Sequence, residues 1–298
     1  MRQAIADYIA YEGSLGRTEQ SLTGYKYRLR YFQVFLRERN VKDVREVKAD
    51  HIQRYHNWLI AKKLKTNTRY TYICTIKTFL HWLHQRHRIF SDLAKRIELP
   101  QMEKTLPPTA LTSEEVMALL DSMPMSRFTT KRNRAMLEVL YACGVRREEL
   151  FRLNVGDIDF IGGTLFVSRG KGGKDRLLPI HDRALQVLKE YLTARGGRLM
   201  KTSPLFVTHP SGGHEERVEA GDLCQVFQRL NKKSKKQVYP HLLRHTFAVH
   251  MLQGGADIRY VQALLGHESA DTTAKYLGLV KADIKAAYDA AMERLFSG

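Results

Sequence analysis

The stretch DIDFIGGTLFVSRGKGGKDRLLPI, residues 157–180, differs from the rest of the chain because its apolar runs are short. Three such runs are separated by Gly162-Gly163 and by KGGK at residues 171–174, and paired glycines suit tight turns. Elsewhere in the 298 residues, apolar side chains recur at the spacing of helices. The sequence therefore predicts a mainly α protein with one small antiparallel β-sheet.

The first hundred residues predict a bundle of about four helices. Helical periodicity occupies residues 2–12, 21–39, 48–63 and 67–87. We expect Asp50 and Asn67 to be N-caps, because both residue types favour that position. The apolar face of the second segment consists of Tyr25, Leu29, Phe32, Phe35 and Leu36.

A proline-rich segment, LAKRIELPQMEKTLPPTALTSEEV at residues 93–116, interrupts this periodicity. Its prolines and mixed charge are typical of an extended linker. Thr112 or Ser113 then begins a new helix, with Glu114 and Glu115 in its first turn. We place the domain boundary here, which predicts a helical domain over residues 1–105 and a second domain over 106–298.

The charge of the chain points to a polyanionic partner. The net charge is +18, and residues 1–110 hold 21 Lys and Arg against 10 Asp and Glu. If the partner is DNA, both domains should contact it and affinity should fall steeply with salt.

The three cysteines, Cys74, Cys143 and Cys224, are widely spaced and form no CxxC motif. This pattern predicts neither a disulfide framework nor a zinc site. The charged N-terminus is unlike a signal peptide, and no apolar run reaches about 18 residues, so no membrane span is expected. The reducing cytosol is the predicted location.

Five short stretches of the second domain contain residues suited to phosphoryl chemistry. Each has an ordinary alternative: helix-surface or turn charges, polar residues at helix ends, and a half-buried tyrosine. The stretches are GVRREEL (Arg146, Arg147, Glu149), RGKGGKDR (Lys171, Lys174), HLLRH (His241, Arg244, His245), LLGHES (His267) and TTAKYL (Tyr276).

Together these residue types match the needs of a side-chain attack on a phosphodiester. Two arginines can hold the non-bridging oxygens bidentately, and a histidine can add another donor. A tyrosine, whose ordinary pKa is about 10, needs a proton acceptor and a positive site. A lysine can protonate the leaving oxygen. His241 and Arg244 are three residues apart, which puts them on one helical face.

In order and spacing, these motifs resemble the tyrosine recombinase (phage integrase) family, with a length and layout similar to the bacterial Xer recombinases. The likeness covers residues 110 to 285, and the helical first domain resembles the family's SAM-like core-binding domain. GVRREEL resembles the Gly-apolar-Arg-x-x-Glu-Leu motif, which selects Arg146 over Arg147. GKGGKDR resembles the turn with the catalytic lysine, which selects Lys171.

The resemblance implies a mechanism without cofactor, metal or ATP. Tyr276 would attack the scissile phosphate and form a 3′-phosphotyrosyl link, while His241 accepts its proton. Arg146, Arg244 and His267 would hold the phosphate oxygens, and Lys171 would protonate the leaving 5′ oxygen. Glu149 would orient these catalytic residues, and His245 would lie next to them without contacting the phosphate.

The resemblance also implies an assembly. The two domains, the second being mixed α/β, would form a C-shaped clamp on double-stranded DNA with inverted-repeat core sites. Four subunits, identical or of two kinds, would recombine two sites through a Holliday junction, for Xer-like dimer resolution or for integration and excision of a mobile element. The candidate DNA contacts are Arg28, Arg30, Lys62, Lys63, Lys65, Thr68, Arg69 and Lys174.

The C-terminal segment has an amphipathic pattern and would act as an oligomerisation helix. By family analogy it docks on a neighbouring subunit; packing on its own domain is the alternative. Its apolar face consists of Ile284, Ala287, Tyr288, Ala291 and Leu295.

Two other functions compete with recombination. A type IB topoisomerase-like enzyme would share the phosphotyrosine chemistry but relax DNA without exchanging partners. A non-catalytic DNA-binding protein could use the same scaffold, although the complete set of reactive residues argues against it.

We predict that Tyr276→Phe abolishes the covalent protein–DNA complex, because the nucleophilic oxygen is lost while the DNA-binding surface is kept. Covalent trapping on a nicked substrate and a binding titration measure the two effects, and specific affinity should stay within a few-fold of wild type. A covalent complex formed by this variant would rule out Tyr276 as the nucleophile.

Overall fold

The chain forms two compact units, Met1–Pro107 and Pro108–Gly298, in a computed structural model. The structure describes residues 1–103, 108–168, 175–209, 216–232, 234, 236–266, 288–289 and 292–293. Among the described residues, no helix is both long and apolar enough to cross a membrane.

Four α-helices form the described part of the first unit, and the predicted helical bundle is confirmed. They are α1 (Arg2–Ser14), α2 (Glu19–Arg37), α3 (Ala49–Ala61) and α4 (Thr66–Gln85), with short 3₁₀ turns at Val44–Glu46 and Leu93–Arg96.

Aromatic rings fill the centre of this bundle. Phe32 and Phe35 of α2 are buried, and both pack edge-on against Tyr55 of α3, with ring centroids 4.9 and 5.1 Å apart. Leu29 and Leu36 are also buried, whereas Tyr25 is half-buried. The predicted apolar face of α2 is therefore confirmed at four of its positions, and burial of this face stabilises the bundle.

The two predicted N-caps of this unit are wrong. α3 begins at Ala49 after Lys48, and Asp50 instead pairs with Arg54 one turn later, at 2.8 Å. Asn67 lies inside the first turn of α4, where its amide group accepts from the Glu103 amide and donates to the Glu103 carbonyl. Asp50 thus pairs with an arginine and Asn67 bonds a distant peptide, so neither side chain caps its helix.

The second unit is mainly helical and contains the predicted sheet. Thr112 caps its first helix through a reciprocal pair of bonds with Glu115, which confirms that predicted start. The elements are α5 (Ser113–Asp121), α6 (Phe128–Ala142), α7 (Arg147–Arg152), a 3₁₀ turn (Val155–Asp157), β1 (Ile158–Asp159), β2 (Thr164–Val167), β3 (Arg176–Pro179), α8 (Asp182–Arg195), α9 (Ala220–Asn231), α10 (Pro240–Gln253) and α11 (Ile258–Leu265).

The three strands pair antiparallel, as predicted, and their order in the sheet is β1-β2-β3. Leu165 of β2 lies opposite Ile158 and Leu178, and all three side chains are buried. Phe166 and Leu177, one residue along, point to the exposed face. The sheet therefore packs one face on the helices, and β3 begins with Arg176, two residues after the end of the KGGK segment.

Two described residues of the C-terminal segment belong to the core of this same unit. Tyr288 and Met292 are almost fully buried there. The Tyr288 hydroxyl donates to the Ala142 carbonyl at 3.0 Å and accepts from the His181 amide at 3.2 Å. Tyr288 and Met292 therefore pack within their own unit, and the expected docking of the C-terminal segment on a neighbouring subunit stays a prediction. Ile284, Ala287, Ala291 and Leu295 lie outside the described residues.

A buried hydrogen-bond chain ties the start of the second unit to α6 and α10. The Leu111 amide donates to Thr246 Oγ1 at 3.1 Å, and the Leu111 carbonyl lies 2.8 Å from His250 Nε2. His250 Nδ1 lies 2.9 Å from the Tyr141 hydroxyl. Because a carbonyl only accepts, Nε2 donates to Leu111, and in the neutral imidazole Nδ1 then accepts from the Tyr141 hydroxyl.

We predict that His250 makes the stability of the protein depend on pH. Burial lowers the pKa of His250 below its ordinary value of 6.5, against the opposing effects of the Leu111 carbonyl and Glu114. The unfolded chain therefore binds a proton more readily, and the free energy of unfolding should fall as the pH drops below about 6.5. His250→Gln, which can keep both bonds without titrating, should flatten this dependence between about pH 7 and pH 5 in denaturant titrations.

The control for this prediction is His209→Gln, since His209 is exposed. This variant should keep the wild-type pH dependence. Equal slopes for wild type and His250→Gln would contradict the assignment.

Candidate active site

The loop between α6 and α7 depends on Gly144. Its φ of +56° is unfavourable for residues with a side chain, and a Cβ at this position would lie 2.4 Å from the Phe247 ring of α10. The close approach lets the Gly144 carbonyl accept a bond from Arg244 Nη1 at 2.7 Å. The glycine of the GVRREEL motif thus lets α10 pack closely against the loop that leads into α7.

Arg146 and Arg147 are adjacent in sequence but differ in surroundings. Arg146 is the N-cap of α7, and it donates from Nη1 to Glu149 Oε1 at 3.0 Å and from its backbone amide to Glu149 Oε2 at 2.7 Å. Arg147 pairs with Glu148 at 2.7 Å, and 38% of its side chain is exposed. Arg146 is therefore tied to Glu149, whereas Arg147 pairs with its neighbour Glu148; the catalytic role of Arg146 stays a prediction.

Arg244 lies on α10 and is buried. Its guanidinium donates to the carbonyls of Gly144 and Leu265, from Nη1 and Nη2. Burial, with the nearby positive charges of Arg146 and Arg176, lowers the pKa of Arg244 to about 10, and Glu149 opposes this effect. Arg244 consequently keeps its positive charge at neutral pH.

A third arginine, Arg176, joins the site from the first position of β3. It grips Glu149 with two parallel bonds, Nη1 to Oε1 at 2.9 Å and Nη2 to Oε2 at 2.7 Å. Burial alone would raise the pKa of Glu149, but the bonds from Arg176 and Arg146 lower it to about 2. Sequence analysis did not single out Arg176. The available signal was a charged residue opening an apolar strand of a packed sheet, where a charge needs a partner.

The carboxyl end of α11 is where the three arginines meet. Gly266 ends this helix with a φ of +61°, the left-handed conformation of a C-cap. Each of the three last carbonyls accepts one guanidinium bond: Leu264 from Arg176 Nε at 2.9 Å, Leu265 from Arg244 Nη2 at 2.5 Å and Gly266 from Arg146 Nη2 at 3.1 Å. Positive groups at this end also match the sign of the helix dipole.

The structure describes only some of the other predicted site residues. His241 follows the first residue of α10 and is exposed, and His245 is half-buried on the same helix. His267 follows Gly266 directly in the sequence. Lys171, Lys174, His267 and Tyr276 lie outside the described residues, so their roles stay predictions. In the part of the chain that the structure describes, no group of acidic, His and Cys side chains could hold a metal ion.

The candidate DNA contacts of the first unit fall into two groups. Arg28 is half-buried and donates to Thr75 at 2.7 Å, and Arg69 donates to Thr66 at 2.9 Å, so both are engaged inside the unit. Lys62 lies over the Trp58 ring at 5.1 Å. The exposed candidates are Arg30, Lys62, Lys63, Lys65 and Thr68.

Comparison with known proteins identifies the family. The model of the phage integrase family matches residues 109–282, and that of the phage integrase N-terminal SAM-like domain matches residues 7–87. The chain belongs to the phage integrase family. The predicted two-part tyrosine recombinase fold, SAM-like and catalytic, is thereby confirmed.

Individual relatives support this placement. The chain is 30% identical to the tyrosine recombinase XerD of Staphylococcus haemolyticus over 97% of its length and 98% of the relative's. It is 32% identical to the tyrosine recombinase XerC of Pelobacter propionicus, over 98% of this chain and 95% of the relative. Among solved structures, a lambda integrase dimer bound to a COC′ core site shares the fold at 18% identity and a TM-score of 0.71, covering 92% of this chain and 99% of that one.

We predict that Arg244→Lys reduces DNA cleavage by about 100-fold, because lysine cannot bond two carbonyls and still offer a planar fork to a phosphate. Single-turnover cleavage on a nicked substrate measures the effect. Arg147→Lys is the matched control from the same site region, and it should cleave at close to the wild-type rate. Wild-type cleavage by a folded Arg244→Lys protein would contradict this role.

Proposed function

We propose that this member of the phage integrase family is a site-specific tyrosine recombinase whose Arg146 and Arg244 clamp the scissile phosphate. The supporting observation is that two guanidinium groups, from the start of α7 and from α10, are fixed at the same helix end. Described contacts use two of the five N–H groups of each. The other N–H groups suit the non-bridging oxygens of a phosphodiester.

The chemistry proposed for this site is a reversible transfer between two oxygen nucleophiles. Tyr276 attacks phosphorus, its proton passes to His241, and the 5′ oxygen leaves with a proton from Lys171. The 3′-phosphotyrosyl ester retains the bond energy, so the 5′-hydroxyl of a partner strand can reverse the step. Arg146, Arg244 and His267 stabilise the charge that develops on the phosphate oxygens.

The first unit is proposed as the core-binding domain. Support comes from its match to the SAM-like family model and from its excess of basic residues. Arg30, Lys62, Lys63, Lys65 and Thr68, being exposed, are better candidates for phosphate contact than Arg28 or Arg69, whose described bonds are internal.

The proposed partner is double-stranded DNA with inverted-repeat core sites, bound by four subunits on two sites. A lambda integrase tetramer bound to a Holliday junction shares this chain's fold with a TM-score of 0.70 at 19% identity, covering 91% of this chain and 79% of that one. That assembly is a property of lambda integrase and here only guides the proposal. We also propose the reducing cytosol as the compartment, since the three cysteines are all free.

The test begins with selection of a bound site from random-sequence DNA, followed by a nicked version of that site which loses a short fragment on cleavage. We expect an SDS-resistant covalent complex and strand exchange only between duplexes that both contain the site. Affinity should fall steeply with salt.

Other outcomes would identify a different protein. Relaxation of plasmids that lack the site, without exchange, would favour a type IB topoisomerase-like enzyme. Specific binding without any covalent complex would favour a non-catalytic DNA-binding protein.

A further inference from the structure

We propose that Arg176 is a positioning residue of the phosphoryl-transfer site, acting on Arg146 through Glu149 and on the carboxyl end of α11 directly. This inference rests on the proposed recombinase function. It concerns an arginine that would not itself touch the phosphate.

The hydrogen bonds of Arg176 distinguish it from the two clamp arginines. All three of its nitrogens donate to protein acceptors, with Nη1 and Nη2 on Glu149 and Nε on the Leu264 carbonyl. Arg146 and Arg244 each use only their two Nη atoms in described contacts. All three nitrogens of Arg176 are thus bonded to protein acceptors, whereas the other two arginines can still donate to an anion.

Its first effect is on Glu149, which lies between two arginines. Arg176 binds both carboxylate oxygens, and Arg146 has one side-chain bond to Glu149, from Nη1 to Oε1. Without Arg176, the freed carboxylate could take Arg146 in a two-bond fork, which is the geometry that Arg and carboxylate prefer. Arg146 would then turn toward Glu149 and away from the phosphate.

Its second effect is on the helix end that precedes His267. The Nε bond holds the Leu264 carbonyl, and Arg176 Nη1 and Cδ lie 3.4 and 3.5 Å from the place that a Gly266 Cβ would occupy. The guanidinium therefore packs against the Gly266 backbone while Arg146 binds the Gly266 carbonyl. One side chain aligns both the Arg146 acceptor and the direction of the chain at Gly266.

The first test compares Arg176→Ala and Arg176→Lys with wild type on the selected, nicked DNA site. The rate of covalent-complex formation at saturating protein should fall by about 100-fold, because small misplacements of a reacting group have effects of this size. The affinity for DNA should stay within about 3-fold, since the phosphate clamp keeps its charges. Lysine should restore little, because it cannot make two parallel bonds and a third one.

Chemical rescue separates positioning from general loss of structure. Guanidinium, added below the concentrations that unfold the protein, should raise the cleavage rate of Arg176→Ala at least several-fold. Ammonium at the same ionic strength should not. Arg183→Ala is the matched control: Arg183 is a half-buried arginine that pairs with Asp121 and Glu138, outside the site, and its loss should lower stability without guanidinium-dependent cleavage.

A double variant tests the route through Glu149. If the freed carboxylate captures Arg146, Glu149→Gln should restore part of the cleavage lost in Arg176→Ala, so that the two changes are not additive. Additive losses, wild-type cleavage by Arg176→Ala, or failure of guanidinium to raise the rate would overturn the proposal. Should Arg176→Ala not fold, Arg176→Gln takes its place in each comparison. A wild-type protein that forms no covalent complex would instead refute the proposed function itself.

Discussion

Three guanidinium groups bond the carboxyl end of one short helix, two of them also bond one buried carboxylate, and the described site depends on this electrostatic arrangement. Glu149 offsets one positive charge, and the α11 dipole contributes roughly half a negative charge more. The remaining positive charge is held by carbonyls, which bond it without neutralising it. Removal of Glu149 would leave like charges facing one another in a half-buried site, a change that costs about 3–5 kcal/mol in comparable buried pairs. Incomplete compensation of this kind favours a bound anion.

The elements of this site could be predicted, but their mutual contacts could not. Periodicity and glycine pairs predicted the helices and the sheet. The resemblance of GVRREEL to the family motif selected Arg146, which the structure places at the N-cap of α7, while Arg147 pairs with Glu148. The bond between Arg244 and Gly144 joins positions 100 residues apart, which no local pattern encodes. The role of Arg176 could not be predicted for the same reason: its partners lie in α7 and α11, while its neighbours in sequence predict only a strand.

Partners that are distant in sequence determine the hydrogen bonds of several polar side chains. Asn67 is a good capping residue by type, yet the Glu103 peptide satisfies both ends of its amide. Arg28, a candidate DNA contact on a basic helix, donates to Thr75 and lies over the Tyr25 ring within the bundle. Tyr288 belongs to the predicted apolar face of the C-terminal segment, and its hydroxyl is bonded to Ala142 and His181. In each case a polar group found a partner distant in sequence.

The hydrogen bonds at Leu111 have a practical consequence for dissecting the protein. The backbone N–H and C=O of Leu111 are both bonded by side chains of α10, the helix that also bears Arg244. A catalytic fragment that starts after Leu111 would leave the buried side chains of Thr246 and His250 without these hydrogen-bond partners. Truncations should therefore begin upstream of Ala110, because Pro108 and Thr109 are exposed and a chain end there uncovers no core.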